Sequence, residues 1–294
     1  MNTDLTTMIV GNGAIGNLLY VRSHQAGQPC RLLCRQKLSQ ILEVTCLDGS
    51  KHTCAFQSDE PEALSQCDIL ILPLKAYQIL PALDHFSVLL PVHTTLVLLH
   101  NGMGTAEQVM QQFPHNPIIA ATTTHAAFKP AVNQICITGE GATQAGWLRQ
   151  SLQPKRIEQH LSSLLAPCHW HQDVFAPMWK KLAINAVINP LTALYQIKNG
   201  ELSAPKYRAE IEALIAEVSA IMTASGYPGD EQELLASILS VAELTAGNFS
   251  SMNRDRFYQR QTEIGYINGY LVKKGQELGL NTRLNAELVQ RLSC

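Results

Sequence analysis

The architecture of this chain follows from one stretch near its start, Thr7-Met8-Ile9-Val10-Gly11-Asn12-Gly13-Ala14-Ile15-Gly16. An apolar run, a glycine-rich turn and then a helical pattern from Asn17 to Ala26 predict a strand, a tight turn and a helix. Gly11 permits the turn, Gly13 lets a pyrophosphate approach the backbone, and Gly16 lets helix and strand pack closely. The start of such a helix presents free amides and a positive dipole end to phosphates. Rather than an ordinary flexible turn, we predict a dinucleotide site formed by Gly11, Asn12, Gly13, Ala14, Ile15 and Gly16.

Further apolar strands alternate with helical stretches through the first half of the chain. They are predicted at Arg31–Cys34, Ile69–Leu72, Leu96–Leu99 and Ile118–Ala121. Continuous apolar strands separated by helices indicate a mostly parallel sheet that is covered on both faces. Two segments with turn residues, Val44–Gly49 and Ile135–Gly141, are interpreted as hairpins that add antiparallel strands to this sheet. We therefore predict an α/β domain over residues 1–174.

From residue 175 onward, helical spacing replaces this alternation. Apolar residues recur at intervals of three and four until Gly226, a residue typical of a helix C-terminus. These apolar residues are Ile211, Leu214, Ile215, Val218, Ile221 and Met222. Residues 231–245 and 255–276 are predicted to form two further helices. We therefore expect residues 175–294 to form an all-α domain.

One predicted helix of this second half carries polar residues at intervals of four. Lys181, Asn185 and Asn189 have apolar neighbours, and positions four apart advance only about 40° around a helix. A helix that is apolar on its other faces is buried, so an ammonium and two carboxamides in it need partners. Those partners are either a substrate or a structural hydrogen-bond network. Lys180 lies about 100° away on the helix and cannot replace Lys181.

Pro190 follows this polar stripe directly. A proline inside a helix has no N–H to donate, so the carbonyl of Ala186 loses its partner within the helix. We expect the helix to bend just after Asn189, which would aim the stripe into a ligand cleft.

The residues after the second strand indicate the cofactor. An NAD site needs a carboxylate about twenty residues after the glycine loop, to bond the ribose 2′-hydroxyl. The first acidic residue after Gly16 is Glu43, and the second strand ends instead at Cys34 and Arg35. A guanidinium at this position suits a 2′-phosphate, so we predict NADPH and its oxidised form NADP+ as the cofactor. Lys75, just past the third core strand, either faces the cofactor phosphates or solvates its loop.

The composition disfavours some classes of partner. The net charge is −2, from 22 basic and 24 acidic residues, which favours a small-molecule substrate over nucleic acid or a membrane. The first residues lack the basic and apolar regions of a secretory signal, so a cytoplasmic location is expected. The eight cysteines are expected to be reduced, and their spacing does not predict a metal site. The oligomeric state stays open between a monomer and a homodimer.

A series of motifs, in order along essentially the whole chain, resembles those of the ketopantoate reductases. The motifs are Gly11–Gly16, Leu74–Ala76, His100–Thr105, Thr122–Ala127, Trp179–Leu191, Asn199–Leu202, Asn248–Met252 and Thr262–Gly269. The resemblance implies a Rossmann domain followed by an all-α C-terminal domain like that of 6-phosphogluconate dehydrogenase, with the site in the cleft between them. It also implies NADPH-dependent reduction of ketopantoate (2-dehydropantoate) to pantoate, a step of pantothenate and coenzyme A biosynthesis.

The resemblance further implies a role for individual residues. Lys181 matches the catalytic lysine of the family, and Glu263 matches an acidic residue at the cofactor and substrate end of the cleft. The residues that match substrate contacts are Asn185, Asn189, Asn199 and Ser251, with Asn248 nearby. The residues that match cofactor contacts are Lys75, Asn101 and Ala127.

These side chains suggest a mechanism. Hydride addition to a ketone builds negative charge on its oxygen, where Lys181 would donate a hydrogen bond and then a proton. Amide or hydroxyl groups of Asn189, Asn199 and Ser251 would donate to the substrate carboxylate. A carboxylate at Glu263, early in a predicted helix, would favour the charged form of Lys181. His125 is interpreted as a packing or polar-network residue rather than a proton donor.

Two other functions remain open at this point. A dehydrogenase for a different small 2-oxo or 3-hydroxy acid would share the glycine loop and the lysine and asparagine stripe. A regulatory protein that senses NADPH without chemistry would share the loop but would not need Lys181.

Overall fold

The computed structural model, which describes residues 5–293, divides into two compact units. The first unit runs up to His100 and resumes over Thr105–Val174, and the second comprises Asn101–Gly104 and the chain from Phe175 onward. The short segment Asn101–Gly104 is joined to the second unit by the Met103 N–H, which donates to the carbonyl of Tyr266 at 2.9 Å.

The strands form two sheets. In chain order they are β1 (Thr7–Val10), β2 (Arg31–Leu33), β3 (Ser39–Thr45), β4 (Lys51–Gln57), β5 (Ile69–Leu72), β6 (Thr95–Leu99), β7 (Ile118–Thr123), β8 (Ala126–Phe128), β9 (Gln134–Gly139), β10 (Thr143–Arg149) and β11 (Cys168–Trp170). The larger sheet has the order β11-β10-β7-β6-β5-β1-β2, and the smaller has the order β4-β3-β9-β8. Strands β7, β6, β5, β1 and β2 are parallel, and β10 pairs antiparallel with β7. The mostly parallel sheet with antiparallel additions is confirmed.

The helices are α1 (Ala14–Gln25), α2 (Ala76–Phe86), α3 (Thr105–Gln112), α4 (Pro154–Leu164), α5 (Phe175–Tyr195), α6 (Arg208–Ala224), α7 (Glu231–Leu244), α8 (Ser251–Phe257), α9 (Asn268–Leu278) and α10 (Arg283–Leu292). Apart from the segment Asn101–Gly104, the second unit is built of helices α5 to α10 and short 3₁₀ turns, which confirms the predicted helical half. Within residues 5–293, no helix is long and apolar enough to cross a membrane.

The larger sheet has a core on each face. Successive residues of a strand point to opposite faces, and the buried strand residues accordingly divide into two clusters. Ile9, Ile71 and Val97 belong to one cluster, whereas Met8 and Leu70 belong to the other. This division explains why the strands are apolar at every position instead of at alternate ones.

The two predicted hairpins have different outcomes. Val44–Gly49 does connect β3 to β4 as an antiparallel pair, although this pair lies in the smaller sheet. The hairpin at Ile135–Gly141 is wrong, because β9 pairs with β8 and β3 instead of with the following strand β10. Gly141 packs so closely against Thr124 that a Cβ atom would lie 2.3 Å from its carbonyl carbon. The turn is therefore held against the end of β7, and the chain passes from one sheet to the other.

The single helix predicted over residues 255–276 is also wrong, since α8 and α9 are separate. After α8, Gln259 adopts a left-handed φ of 54°, which ends the helical course. Thr262 Oγ1 then accepts from the Ile264 N–H at 3.3 Å and starts a 3₁₀ turn at Ile264–Tyr266. Glu263 consequently lies in the connection ahead of α9 instead of inside a helix.

Candidate functional site

The glycine loop of the first unit is shaped for a phosphate group. Gly11 has a φ of 87°, and its N–H donates to the carbonyl of Leu33 at 2.7 Å. A Cβ on Gly16 would lie 3.0 Å from the Gly11 carbonyl oxygen, so only glycine packs there without displacement. Helix α1 begins at Ala14, three residues earlier than predicted, and its N-cap Gly13 has no side chain to occupy the first amides. These free amides and the glycine cradle fit a dinucleotide pyrophosphate.

Lys129 lies beside this loop and was not predicted from the sequence. Its Nζ donates to the carbonyl oxygen of Asn12 at 2.9 Å and also contacts Asn12 Oδ1. The charge of Lys129 acts on Cys34, the residue after β2. Burial lowers the pKa of Lys129 and raises that of the Cys34 thiol to about 11. The sequence offered one indication of Lys129: it lies two residues after Ala127, which was predicted to contact the cofactor.

The other residues predicted to bind cofactor occupy varied positions. Arg35 is exposed just beyond β2. Lys75 is half-buried ahead of α2, and its backbone N–H donates to Gln78 Oε1 at 3.2 Å. Ala127 lies in β8 and pairs with Ile137 of β9. The structure thus places Lys129 in contact with the glycine loop and within electrostatic reach of Cys34, the residue after β2.

Asn101 belongs to the second unit and lies in a turn whose next residue, Gly102, has to be glycine. Gly102 has a φ of 80°, and a Cβ on it would lie 2.4 Å from the carbonyl oxygen of Tyr266. Tyr266 ends the 3₁₀ turn that follows Glu263. The segment that contains Asn101 is therefore packed against the segment that follows the buried carboxylate of Glu263.

Helix α5 carries the predicted polar stripe. Lys181 and Asn185 are half-buried and Asn189 is buried, while the intervening positions Leu182 and Ala183 are fully packed. The helix continues through Pro190 to its end at Tyr195. Positions four apart on one unbroken helix keep all three polar side chains on one face.

Lys181 and Glu263 influence each other electrostatically. Burial lowers the pKa of the Lys181 ammonium to about 8, and the negative charge of Glu263 opposes this shift. Glu263 is 3% exposed, so its charge is poorly screened by water. The pair provides a proton donor that gives up its proton more readily than an exposed lysine.

The carbonyl that Pro190 frees has found a partner on another helix. Asn268 Nδ2, at the start of α9, donates to the Ala186 carbonyl oxygen at 2.8 Å and to Asn285 Oδ1 at 2.9 Å. Asn285 Nδ2 in turn donates to Glu217 Oε2 at 2.8 Å. Both asparagines are fully buried. This network connects α6, α9 and α10 to α5 at a point between Asn185 and Asn189, two residues of the stripe.

The predicted substrate contacts after α5 differ in exposure. Asn199 is buried and its Nδ2 donates to Thr245 Oγ1 at 2.9 Å, whereas its Oδ1 has no hydrogen-bond partner among the described residues. The Asn199 N–H donates to the carbonyl of Asn248, whose side chain is exposed. Ser251 is exposed at the first position of α8, and the preceding Ser250 caps that helix. Asn199 Oδ1 is thus a buried acceptor that suits a hydroxyl donor.

His125 belongs to a hydrogen-bond network in the first unit. Its Nδ1 accepts from the Gly141 N–H at 3.0 Å, so Nε2 carries the proton and donates to the Ala166 carbonyl at 3.1 Å. Burial, followed by the charge of Arg22, lowers the pKa of His125. A neutral, fully engaged imidazole agrees with the interpretation of His125 as a network residue.

The described residues include no group of three or more His, Cys, Asp or Glu side chains that could hold a metal ion.

Comparison with known proteins relates both units to one enzyme family. The family model described as ketopantoate reductase PanE/ApbA matches residues 7–150, and the model of ketopantoate reductase PanE/ApbA C terminal matches residues 173–293. The 2-dehydropantoate 2-reductase of Vibrio cholerae serotype O1 is 36% identical over 289 residues, which cover 98% of this chain and 97% of the relative.

Two solved structures share the fold over nearly the whole chain. The 2-dehydropantoate 2-reductase of Geobacter metallireducens superposes with a TM-score of 0.86 at 20% identity, covering 98% of this chain and 99% of the other. A D-mandelate dehydrogenase in complex with NADH and anilino(oxo)acetate superposes with a TM-score of 0.85 at 21% identity, covering 98% and 97%.

Proposed function

This chain belongs to the ketopantoate reductase family, and on that premise we propose that it reduces 2-dehydropantoate (ketopantoate) to pantoate with NADPH. The observation that carries the proposal is the polar stripe of α5, where Lys181, with its lowered pKa, lies on one helix face with Asn185 and Asn189. A sensor protein does not need an ammonium with a lowered pKa beside amide groups. Ketone reduction uses the ammonium as a proton donor and the amides to hold the substrate.

Lys181 is the proposed proton donor. A bound nicotinamide would supply the hydride, and negative charge would then develop on the ketone oxygen. An ammonium that donates to this oxygen stabilises the transition state more than the ground state. Its pKa of about 8 keeps it mostly protonated at neutral pH while easing the transfer of the proton. Glu263 keeps the ammonium charged in this buried setting.

The proposed substrate contacts divide by chemistry. Asn185 and Asn189 extend along the same helix face as Lys181 and would hold the substrate near its carbonyl. The orphaned Asn199 Oδ1 is an acceptor, which suits a hydroxyl of the substrate. Asn248 and Ser251 are exposed and would donate to the carboxylate. A site that bonds a hydroxyl strongly rejects analogues that lack it, because its own polar groups are then left unpaired.

The proposed reaction is tested by the loss of NADPH absorbance with a panel of 2-oxo acids. We expect kcat/KM for ketopantoate to exceed that for 3,3-dimethyl-2-oxobutanoate, which lacks only the hydroxyl, by about 100-fold or more. Phenylglyoxylate, the 2-oxo acid that corresponds to mandelate, is a second comparison, because a D-mandelate dehydrogenase has the same fold. Preferential use of another oxo acid would show that the substrate is wrong, and the absence of turnover with every acid would favour a sensor.

The preference for NADPH is proposed from Arg35. In the parent enzyme we expect kcat/KM to be higher with NADPH than with NADH, and Arg35→Ala to lower the NADPH value by about 10- to 100-fold. The NADH value should change little, because NADH has no 2′-phosphate. Lys37→Ala is the control, since it removes an exposed charge that is engaged by Glu60. Equal use of both cofactors by the parent enzyme would contradict the preference.

A further inference from the structure

Lys129 is a cation at the glycine loop that lacks an anionic partner. Its Nζ has Asn12 as hydrogen-bond partner, through the backbone carbonyl oxygen at 2.9 Å and through Oδ1. Both acceptors are neutral, and in the described part of the chain no carboxylate lies within ion-pair distance of Lys129. An ammonium has three donors, so at least one N–H remains for a ligand. A half-buried ammonium with only neutral partners is suited to an anionic ligand.

Two neighbours locate this cation within the expected cofactor site. Asn12 lies between Gly11 and Gly13 in the phosphate loop, and Cys34 follows β2 directly and precedes Arg35. In folds of this kind the carboxyl end of the second strand faces the adenosine ribose, and the loop faces the pyrophosphate. An ammonium that is bonded to the loop and within electrostatic reach of Cys34 is suited to the ribose side of the loop, where the 2′-phosphate of NADPH differs from the hydroxyl of NADH.

We propose that Lys129 binds the 2′-phosphate of the cofactor together with Arg35 and thereby contributes to the choice of NADPH over NADH. This proposal rests on the proposed NADPH preference. Arg35 is exposed at the mouth of the site, whereas Lys129 is half-buried and anchored by Asn12. A phosphate dianion between them would be bound by the exposed guanidinium of Arg35 and by the anchored ammonium of Lys129.

The test is a calorimetric titration of the full chain with nucleotide fragments, which needs no turnover. Adenosine 2′,5′-bisphosphate carries the 2′-phosphate, and ADP carries only the 5′-diphosphate. For Lys129→Met we expect the Kd of the 2′,5′-bisphosphate to rise about 10- to 100-fold and the Kd of ADP to stay within about twofold. Lys129→Arg should largely restore the parent value. Lys51→Met removes an exposed lysine from β4 of the same unit and should change neither Kd.

The outcomes separate this proposal from the proposed function. An equal loss for both fragments would mean that Lys129 only positions the loop through Asn12, and no loss for either would exclude any contact; both results overturn the proposal. Lys129→Gln keeps a donor for Asn12 but removes the charge, so it gives the same discrimination if Lys129→Met does not fold. If the parent chain binds NADPH and NADH equally, the cofactor preference fails as well. If the parent prefers NADPH and both neutral variants keep that preference, this inference alone fails.

Discussion

Lys181→Met is expected to lower kcat for ketopantoate reduction by about 10³-fold or more, while the Kd for NADPH stays within about twofold. The substitution keeps most of the length of the side chain but removes both the hydrogen-bond donor and the proton. These two contributions act in the transition state, so the loss should appear in kcat more than in cofactor binding. Single-turnover rates and a separate NADPH titration measure the two quantities.

Lys180→Met is the matched control for this prediction. It removes the same charge from the adjacent position, which is exposed and lies about 100° around the helix. Its kcat should stay within about threefold of the parent value, as expected for a surface position. A comparable loss in both variants would point to a general effect of charge on α5, and unchanged turnover in Lys181→Met would refute the catalytic assignment.

The pH profile gives the same prediction a second readout. As the proposed proton donor Lys181 would have to be protonated, so kcat should fall as the pH rises through the region near its pKa of about 8. The charge of Glu263 raises this pKa, and Glu263→Gln should therefore move the alkaline limb to lower pH. A limb that does not move would show that Glu263 does not act through Lys181.

Folding stability should depend on pH in the opposite direction to kcat. The pKa of Lys181 is lower in the folded chain than the ordinary lysine value of 10.5, so the charged form costs folding free energy. That cost is fully present below pH 8 and disappears as the pH rises through the folded and then the unfolded value. Lys181→Met should therefore not destabilise the fold at neutral pH, which distinguishes a site residue from a structural one.

Sequence patterns were sufficient where structure depends on neighbouring residues. The glycine loop at Gly11–Gly16 and the continuous apolar strands such as Ile69–Leu72 have local causes, namely backbone freedom and burial on both faces. The apolar residues spaced by three and four before Gly226 predicted α6, because this spacing is also a local property of the sequence. The stripe on α5 followed from helix periodicity alone.

Sequence patterns failed where distant residues determine the structure. The turn at Ile135–Gly141 resembles a hairpin locally, but its strand pairs with β8 and β3, and only the tertiary fold selects those partners. Lys129 meets Asn12 across 117 positions, and Asn268 meets Ala186 across 82. No local spacing encodes such contacts. The sequence did indicate that Ala186 would need a donor, but not that Asn268 would provide it.

Asn268→Leu is expected to lower the free energy of unfolding by about 3 kcal/mol, because it deprives the Ala186 carbonyl and Asn285 Oδ1 of their donor in a fully buried setting. Chemical denaturation at constant m-value measures the loss. Gln276→Leu makes a similar change at an exposed position of α9 and should cost less than about 0.5 kcal/mol.

A double-mutant cycle identifies the cause of this loss. Pro190→Ala restores a backbone N–H that can donate to the Ala186 carbonyl within α5. In that background Asn268→Leu should cost about 1 kcal/mol less than in the parent, because the carbonyl keeps a donor. An identical cost in both backgrounds would mean that Asn268 does not act through Ala186. A reduced cost would mean that Pro190 exchanges one bond within the helix for a bond to α9, which fixes α5 between the two asparagines of the stripe.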